Sequence, residues 1–282
     1  MSLDARTIGR LSCEALQAEA RLSPKPGLVD AENCGAHSDM DLPLLLASAT
    51  VLEPYFVLFA ARGIAEAALP PEGRLNAIRA EGREAEQAML AATNGVNTHK
   101  GALFLLGALC YAAGHLAGNG GALAPSSVCQ TAAKVCAGIT RELGAGAGRA
   151  FAKFSARGAR GEAEDGFPNV LFALKEREKA TARGMTNHDA WLFALLKLIE
   201  TLEDTNVLAR CGEQTARELK ARASMIASRN PSGGEALKVD MRGLNQDCLR
   251  WHASPGGAAD VLACAIFLQS VMEQNNQKWG DC

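Results

Sequence analysis

An all-α fold is the expectation from this sequence, on three observations. Apolar residues make up 48% of the chain but aromatics only 5%, and the excess lies in Ala and Leu, which favour helices over sheets. Apolar positions recur at three-, four- and seven-residue spacing, the period of a helix with one buried face. The segments with that spacing are separated by polar stretches bearing Gly and Pro. At 282 residues one core would bury roughly 75% of the unfolded surface, and residues 1–282 are read as a single helical domain.

In chain order, residues 4–22 are read as a first helix with Ile8, Leu11, Ala15, Leu16 and Leu22 near one face, ended by Ser23-Pro24. Residues 23–41 (SPKPGLVDAENCGAHSDMD) have neither helical nor alternating apolar spacing. They hold two prolines, two glycines, Lys25 and four acidic residues (Asp30, Glu32, Asp39, Asp41) around His37. That composition reads as a loop carrying chemistry. Residues 43–69 are a helix with Pro43 in its first turn and Pro54 kinking or dividing it; being apolar nearly all round, it is expected at the centre. Pro70-Pro71 precedes an amphipathic helix over 72–92, with Leu75, Ile78, Ala85, Met89 and Ala92 inward.

Asn97 or Thr98 is the expected cap of an apolar helix, Ala102–Leu116, which places His99 and Lys100 in its first turn. Lysine is unfavourable at the positive end of a helix dipole. Lys100 and the free backbone N–H groups are therefore read as converging on an anion, the plainer alternative being a lysine reaching solvent. A Gly-rich turn at 117–124 leads to a helix over 126–143. Gly144, Gly146 and Gly148 follow, but without a preceding strand or a third glycine at the dinucleotide spacing they are no Rossmann fingerprint, and no P-loop motif occurs.

Residues 154–168 (FSARGARGEAEDGFP) read as a second polar loop. Arg157 and Arg160 carry the planar fork suited to phosphate, and Glu162, Glu164 and Asp165 suit Mg2+ or a sugar hydroxyl, although alone the stretch is an ordinary solvated charge run. Thr186-Asn187 caps a helix with Leu192, Leu195, Leu196, Ile199 and Leu202 on one face, with Asp189 structural in its first turn. Asp204, Asn206 and Arg210 then interrupt the apolar pattern. Residues 213–228 form a further helix and 230–234 a turn. Finally Ser254-Pro255-Gly256-Gly257 opens a helix from Ala258 to about Glu273, with Ser254 as N-cap, Pro255 at N1, and glycines that admit a ligand to the backbone.

Whole-chain properties exclude several classes. A net charge of −2 argues against a general nucleic-acid binder, which needs a basic face. Nine scattered cysteines without CxxC spacing or a signal peptide read as structural thiols in a reducing cytoplasm. No apolar run is read as reaching the ~20 residues that span a bilayer, so no membrane partner is expected. GxSxG, HExxH and zinc-deaminase patterns are missing. What remains is a set of helices whose ends and loops each bring cations and carboxylates together, the composition of a polyanion–Mg2+ pocket.

Five blocks then carry a resemblance: SPKPGLVD…GAHSDMD (23–41), GVNTHKGALF (95–104), ARGEAEDGFPNVL (159–171), DTNVLAR (204–210) and SPGGAADVLA (254–263). In this order the chain resembles the triphosphoribosyl-dephospho-CoA synthase family, which serves citrate lyase and malonate decarboxylase. EARL ahead of SPKPGLVD is closer to the malonate decarboxylase branch. Ser38, Cys211 and His252-Ala253 depart from the family pattern, Ser38 standing where a basic residue is frequent.

The resemblance implies transfer of the triphosphoribosyl group of ATP to the 2'-hydroxyl of 3'-dephospho-CoA with release of adenine. Such a reaction needs cations for the phosphates, Mg2+ as cofactor and a base for the hydroxyl. Lys25, Lys100, Arg157 and Arg160 are the expected phosphate ligands, Asp39, Asp41 and Glu164 the Mg2+ ligands, and Glu162 or Asp30 the base. Asn97, His99 and Asn206 would hold sugar or adenine, with His37, Arg210, Ser254, Gly256 and Gly257 as further substrate contacts. Expected partners are the two substrates and, downstream, an acyl-carrier subunit or its transferase; self-association stays open. A Mg2+-dependent nucleotide hydrolase and a non-catalytic carrier of the CoA-like group are the alternatives from other classes.

Overall fold

A computed structural model of the chain describes residues 3–143, 156–229 and 231–280. Among them are eleven α-helices and no strand: α1 Ala5–Arg21, α2 Leu42–Ala65, α3 Arg79–Ala92, α4 Lys100–Gly118, α5 Pro125–Val135, α6 Gly158–Glu164, α7 Pro168–Ala182, α8 Asn187–Thr201, α9 Thr205–Ser228, α10 Gly234–Trp251 and α11 Gly256–Gly280. The all-α expectation holds. Gly144, Gly146 and Gly148 lie outside the described residues, as do Phe154, Ser155, Asn230 and Cys282.

The core begins with α1, α2 and α4 packed in succession, α11 lying against α1, α4 and α7. α2 and α4 approach so closely that a Cβ on Gly63 would stand 2.0 Å from the Tyr111 carbonyl oxygen, and one on Gly114 2.1 Å from that of Ala60. Only glycine permits that contact. The centre is α4, in which fourteen residues including Leu105, Leu109 and Tyr111 are buried. α2 was expected there, but its outer face is open, with Leu58 49% exposed. Pro54 neither ends nor divides α2.

Several boundaries differ from the sequence reading for physical reasons. The 72–92 segment starts with a 3-10 turn, Arg74–Ile78, before α3. The 126–143 segment is α5 followed by a turn at 136–138 and a 3-10 turn, Ile139–Leu143; Gly138 with φ +86 breaks it. The supposed loop at 154–168 contains α6. α7 and α10 fall where no element was assigned. The buried face of α7 is Val170, Ala173, Glu176 and Ala180, small or polar residues that give little amphipathic signal. In α10 the stripe Leu237, Met241, Leu244 and Cys248 is interleaved with buried Asn245 and Asp247.

Three helices are long and apolar enough to cross a membrane by length and composition: Leu42–Ala65, Lys100–Gly118 and Gly256–Gln277. The expectation that none reaches that length does not hold. In this fold α4 packs against both others. The eight described cysteines are free, and Cys13, Cys110, Cys129, Cys136, Cys248 and Cys264 are buried, as expected of structural thiols. Burial pushes Cys110 and Cys129 up to about 12.

Candidate active site

The 23–41 loop is held from within. Asp30 is buried, and its carboxylate accepts the backbone N–H groups of Lys25 (2.6 Å), Glu32 (2.7 Å) and Asn33 (2.9 Å). Gly27, at φ +70, comes so near the turn after α10 that a Cβ would lie 2.2 Å from the Ala253 carbonyl, and its N–H donates to Asn245 Oδ1 at 2.8 Å. The loop is thereby fixed to α10. Its other end presents His37, Asp39 and Met40 to a cavity of about 300 Å3.

That first cavity lies between the N-termini of α4 and α11. The N-cap of α4 is His99, not Asn97 or Thr98 as expected; Asn97, just ahead of the helix, accepts the Lys100 N–H through its Oδ1 at 3.1 Å. Around the cavity stand Asn97, His99, Lys100, Asn206, Arg210, Ser254 and Gly256, over an apolar floor of Leu16, Leu28 and Leu45. A second cavity of about 530 Å3 adjoins it and includes Arg157, Glu162 and Gly257. The two share one wall: Asn97, Lys100, Gly101, Asn206 and Asp260. The cleft is thus two-chambered.

Asp260 is the group the sequence reading passed over. Protein surrounds its carboxyl except where the chambers open. Burial, then the neighbouring Asp204 and Glu19 carboxylates, push it well above the ordinary aspartate value, against the Ala102 N–H donated to it. The neighbouring Asp204 is buried, and its Oδ1 accepts from Asn206 N (2.9 Å) and Val207 N (3.3 Å) and its Oδ2 from Ala258 N (3.0 Å). Asp204 therefore ties the start of α9 to that of α11. Asp260 keeps the freer oxygens.

Lys25 does not project into the cleft as a free cation. It is 1% exposed, its ammonium bonded to Glu19 Oε1 at 2.6 Å and to the Glu19 carbonyl at 2.8 Å. Beside it, His99 is held with Nδ1 2.9 Å from Ser48 Oγ. Burial first, then the Lys25 charge, bring its pKa down to about 4. His37 Nε2 lies 2.8 Å from Ser254 Oγ, so that hydroxyl positions an imidazole instead of capping α11. Asp39 stands 3.6 Å from His37 Nδ1. The order carboxylate, imidazole, hydroxyl resembles a nucleophile relay, but 3.6 Å is too long for a hydrogen bond and Ser254 is 2% exposed. Burial and then Arg210 lower the His37 pKa.

Arg210 is exposed at the mouth of the first cavity with no hydrogen-bond or carboxylate partner among the described residues. Lys100 reaches back to Glu86 (2.5 Å) from the rim. Arg157 is paired with Asp165 at the second cavity. Arg160 faces a third, more apolar cavity with Leu75 and Phe104.

The expected carboxylates are not brought together. Asp41 accepts the Leu44 N–H at 2.9 Å as the cap of α2. Glu164 accepts from the Thr140 hydroxyl, the main influence holding it below the usual glutamate range, and from Gly138 N (2.6 Å). Neither borders the two chambers. Glu162 does, but its oxygens accept from Asn169 N (2.9 Å), Asn169 Nδ2 (2.6 Å) and Val170 N (3.1 Å) at the start of α7; burial raises its pKa all the same. Among the described residues no group of three or more His, Cys, Asp or Glu is placed to hold a metal ion by itself.

Two cleft residues absent from the sequence expectations carry a signal in their register. Ile8, Ser12, Ala15 and Glu19 follow one face of α1 at helical spacing and are all buried, which marks Glu19 as an inward charge. Asp260 is the single acidic residue in the apolar run from Ala258 to Leu268.

Fold and cleft together define a helical protein built around a two-chambered, cation-rimmed pocket of small-molecule size. The chain belongs to the ATP:dephospho-CoA triphosphoribosyl transferase family, whose sequence profile matches residues 5–278; it is a transferase. It is 39% identical over 274 residues to a probable 2-(5''-triphosphoribosyl)-3'-dephosphocoenzyme-A synthase of Albidiferax ferrireducens, covering 94% of this chain and 91% of the relative. A protein of the same description from Citrobacter koseri is 37% identical over 283 residues, covering 97% and 93%. No solved structure matches the chain.

Proposed function

We propose that this transferase is the 2'-(5''-triphosphoribosyl)-3'-dephospho-CoA synthase of a malonate decarboxylase system. It moves the triphosphoribosyl group of ATP to the 2'-hydroxyl of 3'-dephospho-CoA and releases adenine. The observation that carries this reading is the wall shared by the two chambers, on which Asp260 is the one acidic side chain. Two nucleotides bound on either side of it would meet at that carboxylate.

ATP takes the first chamber. Its phosphates meet Arg210, Lys100 and the α11 N-terminus at Gly256, while the apolar floor faces the purine. A triphosphate that is anchored and never cleaved needs such cations without phosphoryl-transfer machinery. The acceptor takes the larger second chamber. Breaking the C1''–N9 bond gives C1'' oxocarbenium character, which a nearby carboxylate stabilises, and the incoming hydroxyl needs a base. Asp260 fills that place better than Asp30 or Glu162, whose oxygens are already occupied by N–H donors. Its raised pKa moves it towards the range in which a general base works best.

Mg2+ accompanies ATP in this reading. Magnesium binds through one or two carboxylates plus phosphate oxygens and water, so a preformed protein cage is not required. Asp39, exposed at the edge of the first chamber, fits as the protein ligand, whereas Asp41 and Glu164 do not. The ion would neutralise phosphate charge.

The malonate decarboxylase assignment is supported by Glu19-Ala20-Arg21-Leu22 ahead of Ser23–Asp30. An acyl-carrier subunit, reached through its own transferase, would receive the product, and the cytoplasm, where both substrates are made, is the expected location. Deleting the gene in its host tests the branch. Loss of malonate-dependent growth with citrate use intact is expected; the reverse pattern assigns the chain to citrate lyase.

A further inference from the structure

His99 borders the first chamber and is 5% exposed, yet its Nε2 is buried without a hydrogen-bond partner. Buried polar atoms are nearly always paired, so an unpaired one needs a reason. Ser23 Oγ, His115 Nδ1 and Arg177 Nε are also unpaired among the described residues, but none of them belongs to a residue bordering either chamber. The ring is not free to turn. Nδ1 is held 2.9 Å from Ser48 Oγ, itself 2.6 Å from Thr98 Oγ1. Run from Thr98 to Ser48 to Nδ1, one of the two directions these hydroxyls and the ring allow, the chain leaves the hydrogen of the neutral ring on Nε2.

We propose that His99 Nε2–H donates a hydrogen bond to N7 of the departing adenine, which makes His99 the residue that stabilises the leaving group. This rests on ATP occupying the first chamber. An uncharged donor over an apolar floor suits a purine edge, and phosphates are better met by Arg210 and Lys100. As the C1''–N9 bond breaks, its electron pair moves onto the purine and spreads to N7, where a fixed donor binds more tightly than in the ground state. The new C1''–O2' bond forms on the opposite face. The hydroxyl proton passes to Asp260 and returns through solvent to adenine, so the reaction balances without proton loss from His99.

The test compares ATP, 7-deaza-ATP and purine riboside triphosphate on the wild type, His99→Phe and Ser48→Ala, with 3'-dephospho-CoA as acceptor. His99→Phe keeps the ring volume and is expected to lower kcat/KM for ATP about 100-fold. It should lower that for 7-deaza-ATP only a few-fold, so the discrimination between the two collapses. Ser48→Ala, which releases the tautomer but keeps the ring, should reduce the discrimination partly. An unchanged ATP to 7-deaza-ATP ratio in both variants overturns the proposal. So does loss of discrimination against purine riboside triphosphate instead, which would mean that Nε2 accepts from the 6-amino group. Calorimetry with free adenine and 7-deazaadenine needs no turnover. If the wild type prefers adenine and His99→Phe does not, the contact stands even should the transfer reaction fail; equal binding by the wild type counts against it.

Discussion

A Cβ on Gly101 would stand 2.0 Å from Asp260 Oδ2: the carboxylate lies flush against the first turn of α4. Burial there is its main destabilising influence, and Asp204 and Glu19 add like charge. Removing the charge should therefore help the fold and harm the chemistry. Asp260→Asn is expected to lower kcat by about 10²–10⁴-fold, the usual range for a general base. At neutral pH it should raise Tm. The sign follows from linkage: a carboxyl raised in the native state favours folding at low pH, and that contribution is lost as pH rises from the unfolded aspartate value through the native one. In the variant this loss disappears, as thermal melts across pH would reveal.

Gly101→Ala tests the same contact from the other side. The obstructing atom is the end of a rotatable side chain, so the carboxylate can swing away and Tm should hold. A displaced base is another matter, since about 1 Å of misplacement can cost 10²-fold. The expected result is a drop of that order in kcat with a normal melt.

Glu19 and Lys25 form a buried pair, for which single and double substitution should diverge. Lys25→Met leaves a buried carboxylate unpaired and is expected to cost about 3–5 kcal/mol. Glu19→Leu combined with Lys25→Met should recover much of that loss. Urea unfolding of the wild type and these two variants measures it.

Arg210 and Arg157 should separate in kinetics. Arg210 has no carboxylate partner among the described residues, whereas Arg157 already holds Asp165. Arg210→Ala is expected to raise KM for ATP about tenfold or more, with Arg210→Lys recovering only part because a point charge does not reproduce the guanidinium fork. Arg157→Ala should move KM for ATP far less.

Gly63→Ala and Gly114→Ala meet backbone carbonyls rather than a movable side chain. Each is expected to destabilise by about 1–3 kcal/mol, read as a fall in Tm, while kcat of the folded enzyme is retained.

Helix composition and the punctuation by Ser23-Pro24, Pro70-Pro71 and Thr186-Asn187 made most of the fold legible, because local signals there agree with packing. α7 and α10 were not legible: their buried faces carry Ala, Glu, Asn and Asp, which look solvated until neighbouring helices cover them. In the cleft, the polar residues His37, Asn97, His99, Lys100, Asn206 and Arg210 do line one chamber. The carboxylates were harder to read. Asp30, Asp41, Glu162 and Glu164 looked chemical in polar segments but serve as acceptors for backbone N–H groups, whereas Asp260 looked incidental within an apolar helix. Sequence shows where charges are, and only the fold shows which of them keep free oxygens.

The most direct test is chromatographic. Purified protein is incubated with ATP, Mg2+ and 3'-dephospho-CoA, and the mixture is resolved for adenine and CoA species. Free adenine equimolar with a new CoA species, formed only when 3'-dephospho-CoA is present, is the predicted result. ADP or phosphate without adenine would contradict the account and point to a nucleotide hydrolase.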